Sequence, residues 1–72
     1  MKKYYETVTR VKDGYDEWVY YEGFDKEKAI EQKRYEDTHG CDSRYFTEVR
    51  EYDIPEGREV EDVLLEGCYT VL

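Results

Sequence analysis

Large aliphatic side chains are scarce in this chain. Val, Leu, Ile and Phe supply only 14 of its 72 residues. At about a fifth of the composition, beside a net charge of −8, that supply sits at the border of disorder. No run approaches the ~18 apolar residues of a transmembrane helix, so a membrane span is not expected. There is one Ser, one Pro and one His, and the five Gly are scattered singly at turns. A Gly-rich phosphate loop is therefore absent. Ser43 sits in no nucleophile motif, and His39 lacks an orienting partner at motif spacing. Two cysteines, Cys41 and Cys68, flank no zinc signature even with His39 and Asp42 counted in. No catalytic residue, metal or cofactor is expected. An enzyme is the third choice of function.

A basic patch is also lacking. The bases Lys2, Lys3, Arg10 and Lys12 gather at the start of the chain, and the rest is dominated by acids. Direct binding of nucleic acid needs a phosphate-neutralising surface, and an anionic membrane needs the same. Neither is expected as a ligand. The start Met1-Lys2-Lys3-Tyr4-Tyr5-Glu6 has no apolar run behind it, unlike a signal peptide. A cytoplasmic location is the expectation, and reduced cysteines follow from it. Cys41 and Cys68 then read as small buried hydrophobes, with a disulfide between them as the other reading.

What the chain does have is 19 Asp and Glu, nine Tyr and Trp18. The aromatics fall in alternating, strand-like runs, which disordered tails lack, so tyrosines are expected to complete a modest core. Residues 1–72 read as one small domain. Residues 4–12 and 15–22 flank Asp13-Gly14, the turn chemistry of a two-residue hairpin with positive φ. That turn sets Arg10 opposite Glu17 and Val8 opposite Val19, both favourable pairs. Asp25 caps a helix that runs to about His39, with Phe24 packing back on Ala29 and Gly40 as a left-handed stop. Residues 44–52 form a third strand, which Ile54-Pro55-Glu56-Gly57 breaks. Val60, Val63 and Leu64 mark a short helix, and residues 68–72 a short last strand.

The order β-β-α-β-α-β predicts an α+β fold. A small antiparallel sheet, made of the N-terminal hairpin with a third and a short fourth strand, carries one main helix on one face. A crossover through that helix sets strand three beside strand one. Thr7 and Thr9 mark the wetter face of the hairpin, so Tyr4, Val8, Val19 and Tyr21 are expected beneath the helix with Ile30. Tyr5, Trp18 and Tyr20 then stay on the wet side as aromatic anchors.

Acids concentrate in two stretches. Asp13, Asp16, Glu17 and Glu22 surround those anchors. Glu56, Glu59, Glu61, Asp62 and Glu66 form a second candidate patch. One reading is a solvated face that keeps a small domain in solution. The other is imitation of phosphates. Carboxylates on alternate strand residues or successive helix turns recur every ~5–7 Å, near the phosphate spacing of one DNA strand. Exposed Trp and Tyr beside them add contact area and stacking partners for Arg.

In size, charge, tyrosine content and hairpin-plus-helix layout, the chain resembles phage-encoded anti-CRISPR proteins and other DNA-mimic inhibitors. The resemblance spans the whole chain and is compositional. It implies an inhibitor that occupies the groove of a basic nucleic-acid-binding protein, a CRISPR effector complex foremost. The alternative is an adaptor or structural domain, monomer or homodimer, that binds through its exposed aromatic sheet face or a sheet edge.

Overall fold

The computed structural model describes residues 1–40 and 43–72. Its elements are β1 (Lys2–Val11), β2 (Glu17–Gly23), α1 (Lys26–His39), β3 (Tyr45–Ile54), α2 (Val60–Glu66) and β4 (Thr70–Val71). The strands make one antiparallel sheet in the order β2-β1-β3-β4. This is the expected α+β architecture, with strand three beside strand one. The body is long and flat, 41 × 25 × 15 Å. The readings of Cys41 and Asp42 lie outside the described residues.

The hairpin keeps its expected register near the turn, with Arg10 opposite Glu17 and Val8 opposite Val19. Its turn is a different one. Among the described residues only Gly23, Gly57 and Gly67 have positive φ, so Asp13-Gly14 does not make the mirror-image turn. The strands close instead through the Val11 N–H on the Asp16 carbonyl at 3.1 Å. Lys12 leaves the hairpin because its own N–H is taken by the Arg44 carbonyl at 2.8 Å.

Further along, the pairing slips. Val8 faces Val19 but Thr7 faces Tyr21, so Tyr20 is an extra, unopposed residue. Such a bulge flips the alternation of everything beyond it. Tyr21 thereby moves to the Tyr5 and Thr7 face of the sheet.

That face is the one α1 covers, which inverts the expected assignment. The core under the helix is Tyr5, Ala29 and Val49, with Tyr21 packed against it. Val19 is about half exposed, and Val8 and Tyr4 lie on the opposite face. Tyr21 alone of the four strand residues sits where it was expected, and only because of the bulge. The physical reason is close approach. Ala29 and Thr7 are both fully buried, and the Thr7 hydroxyl donates to the Ala29 carbonyl at 2.7 Å. A threonine with a carbonyl above it is satisfied, so it no longer marks a wet face.

The opposite face is covered at one end by α2. Val63 packs on Tyr52 and Ile54, with Tyr4, Val60 and Leu64 around them. Next to this cluster lies a buried polar network. Tyr52 Oη donates to Glu6 Oε1 at 2.7 Å. Arg50 donates through Nε to Glu48 at 3.0 Å and through Nη2 to Glu17 at 3.1 Å. Its guanidinium lies 4.6 Å from the centre of the Tyr69 ring. Burial works against the Arg50 charge, but the bonds to Glu48 and Glu17 overcome it and hold its pKa above the usual value. Burial, then the Glu6 carboxylate, push the Tyr52 hydroxyl well above the ordinary tyrosine range. No buried side-chain polar atom among the described residues lacks a partner.

The caps divide between expected and new. Asp25 accepts from the Lys28 N–H at 3.2 Å, as a helix cap should. Phe24 sets its ring edge-on to Tyr4, with centroids 5.1 Å apart, where a contact on Ala29 was expected. Gly40 is extended (φ −77°, ψ 121°), not left-handed. A Cβ there would lie 2.7 Å from the Glu36 carbonyl oxygen, so the glycine serves a close backbone approach. Gly67 is the left-handed stop, ending α2 at φ 72°. β3 runs through Ile54, so the break falls at Pro55, whose missing N–H cannot continue the ladder. Cys68 is exposed, not buried, because it follows the helix stop on the rim of the sheet. No helix among the described residues is long and apolar enough to cross a membrane.

Candidate protein-binding surface

The helix covers the sheet unevenly. Ala29, in its first turns, is its single buried residue. Toward its last turns α1 presents Glu36 and Asp37, and there a cleft of about 400 Å³ opens between helix and sheet. The floor is Thr9 and Thr47, paired across β1 and β3, with their hydroxyls bonded to each other at 2.7 Å. Two short, mutually satisfied side chains leave depth that larger residues would fill. Trp18, Tyr20 and Tyr45 stand around them, and Glu36, Asp37 and Gly40 complete the lining.

Each aromatic has a local reason for its place. Trp18 faces Thr9 in the ladder, so it stands on the helix face. Tyr45 faces Val11 at the start of β3. The two rings meet across the floor, centroids 5.6 Å apart at 62°. Tyr20 is the bulged residue. β2 is an outer strand of the sheet, with no further strand beside its outer edge among the described residues. Trp18 and Tyr20 accordingly remain 45% and 48% exposed.

The sequence-derived candidates separate. Trp18 and Tyr20 line the cleft on the face that α1 covers, not on the open face where they were expected. Tyr5 does not, since it is 6% exposed beneath α1. Burial, then the nearby Glu51, raise its hydroxyl pKa. Asp13 and Asp16 lie in the exposed hairpin loop at the same end of the sheet as the cleft. Glu17 and Glu22 turn to the other face. Glu17 is tied to Arg50, and Glu22 lies against Tyr4, whose pKa is raised first by burial and then by that carboxylate.

The second acidic stretch stands apart. Lys2 pairs with Ile54, and Val11 with Tyr45. The loop after Ile54 and the hairpin loop are thus at opposite ends of β1, about 30 Å apart at ~3.3 Å per residue. Glu56, Glu59, Glu61 and Asp62 are exposed there, and Glu66 is bridged to Arg58. Glu61 and Asp62 occupy the first turn of α2, where the helix dipole favours negative charge. The two stretches are two poles of a long body, not one patch.

The chain matches no family model, no curated protein and no solved structure. Its surface therefore has to be read from its own geometry.

Glu36, Asp37 and Tyr45 escaped sequence reasoning. Helical spacing places Glu36 and Asp37 on a surface, but only the strand register shows which rings that surface meets. Among the described residues no group of His, Cys, Asp and Glu is arranged to hold a metal ion. His39 stacks on Tyr35, one turn earlier in α1, with ring centroids 4.0 Å apart.

Proposed function

We propose that this chain is an acidic, protein-binding inhibitor that occupies the basic groove of a nucleic-acid-binding partner. It acts by occlusion and does no chemistry. The observation that carries the reading is the pairing of an open aromatic cleft with carboxylates at its mouth, at one pole of a body with a second acidic pole about 30 Å away. One turn of duplex DNA spans about 34 Å, so two negative poles at this separation can meet basic surfaces that normally hold phosphates one turn apart. The resemblance to anti-CRISPR proteins makes a CRISPR effector complex the first partner to try, in the cytoplasm of a host cell.

The test is competition. A basic DNA-binding partner is loaded with labelled duplex, and the chain is titrated in at 50 and 300 mM salt. Displacement should weaken at least tenfold at the higher salt, because charge-driven docking is screened. Displacement that ignores salt refutes the proposal.

A second reading, a homodimer or adaptor, draws on β2. Its outer edge has no strand partner among the described residues, and Trp18, Val19 and Tyr20 are each about half exposed. Such an edge accepts another strand. Sedimentation separates the two: a tight dimer that buries Trp18 favours this second reading, and a monomer that displaces DNA favours inhibition.

A further inference from the structure

We propose that the cleft between the last turns of α1 and the sheet is a receptor for a single arginine side chain of a basic partner. This rests on the reading of the partner as basic and names what the site grips. The residues supply both halves of guanidinium recognition. Trp18, Tyr20 and Tyr45 offer aromatic faces, and Glu36 and Asp37 offer carboxylates, all lining one cavity of about 400 Å³. A guanidinium stacks on rings and forks onto carboxylates with the same flat group. Its methylene stem would lie along the Thr9 and Thr47 floor.

The carboxylates have room for it. Glu36 Oε1 accepts from Gln32 at 2.9 Å and Asp37 Oδ2 from Lys33 at 2.6 Å. A carboxylate offers about four acceptor positions, so one bond each leaves most of them open. Within the chain one of these rings already draws a cation, since the Arg44 guanidinium lies 6.0 Å from the centre of Tyr45. Lys33 already offsets the Asp37 charge in part, and the two carboxylates still favour a cationic occupant over phosphate. A lysine would keep the charge attraction but lose the stacking and the fork.

Trp18 is the sole tryptophan, so its fluorescence reports on this cleft alone. The probes are the capped tripeptides Gly-Arg-Gly, Gly-Lys-Gly and Gly-Gly-Gly at fixed ionic strength. Gly-Arg-Gly should quench or shift Trp18 saturably, with a Kd of order 1–10 mM, and at least threefold tighter than Gly-Lys-Gly. The double variant Glu36→Gln, Asp37→Asn should weaken it at least fivefold. Glu61→Gln with Asp62→Asn, at the far pole, should leave it unchanged. Both pairs are exposed or half-exposed on helices, and circular dichroism checks that each variant folds. A linear, unsaturable response refutes the inference. So does equal binding of the arginine and glycine peptides, or equal weakening by both variants, which would reflect bulk charge. The titration needs no partner protein. Peptide binding without displacement of DNA would overturn the inhibitor reading and leave the arginine site standing. Displacement of DNA without peptide binding would do the reverse.

Discussion

Tyr52→Phe removes one oxygen and leaves the packing intact, which isolates the buried polar network on the α2 face. Tyr52 is 3% exposed and Glu6, which it serves at 2.7 Å, is 9% exposed. A hydrogen bond to a charged group contributes about 1.5–3 kcal/mol, and a domain of this size has about 3–5 kcal/mol in all. With a urea slope near 1 kcal/mol/M, the midpoint at pH 7 should fall by about 2 M. The alkaline limb gives a second reading of the same bond. The Tyr52 pKa is raised in the folded chain, so its stabilising contribution is fully present below the unfolded tyrosine value near 10. As pH rises past that value the unfolded chain loses its proton first, and stability falls by about 1.4 kcal/mol per pH unit for one such group. The phenylalanine variant lacks this loss. The gap between wild type and variant should therefore narrow between about pH 10 and 11, measured by urea titration followed by circular dichroism. Equal midpoints at pH 7, or a gap that stays constant with pH, would show that the hydroxyl does not hold Glu6 in this way.

Val49→Ala, at a position with essentially no exposure, should lower unfolding free energy by about 1.5–3 kcal/mol, whereas Val19→Ala, on the outer strand, should stay within about 0.5 kcal/mol. Reversed costs in urea titration would restore the opposite face assignment. Gly40→Ala should destabilise by more than about 1 kcal/mol, since its Cβ meets the Glu36 carbonyl at 2.7 Å; an unchanged melting temperature would contradict that close approach. Reversing Asp13 and Asp16, in the exposed hairpin loop beside the cleft, to lysine should slow association with a basic partner several-fold while leaving dissociation closer to wild type, as surface plasmon resonance would read. Loss confined to the dissociation rate would argue against electrostatic steering.

The architecture was legible from punctuation. Asp25, Pro55, Gly67 and the spacing of Val60, Val63 and Leu64 set most boundaries, because caps and breakers act locally. The covered face of the sheet was not legible. Thr7, Glu6, Glu48 and Arg50 are buried by satisfying one another, a tyrosine hydroxyl or a helix carbonyl, and a rule that sends polar side chains outward misplaces all four. The bulge at Tyr20 compounded this, since one extra residue in a strand leaves no compositional trace. The candidate surface was half legible for the same reason. Trp18 and Tyr20 announced themselves by size, but Glu36 and Asp37 come to them only through the packing angle of α1. The two acidic stretches were visible as stretches, and their separation became visible only once Lys2 was known to pair with Ile54.

That β1 is central has a consequence for how the chain acquires its shape. It is synthesised before β3, yet one of its sides belongs to that strand, whose last residue is Ile54. At roughly 5–20 residues per second, the ribosome delivers that partner seconds after the hairpin can close. For that interval Val8 and the Thr7 side wait beside an open strand edge. Non-local pairing of this type folds slowly compared with helical bundles, and the hairpin's early closure shields only β2's side. Lys2, Lys3, Arg10 and Lys12 lie along or just beyond that waiting strand, and like charges of this kind oppose edge-to-edge pairing of two copies.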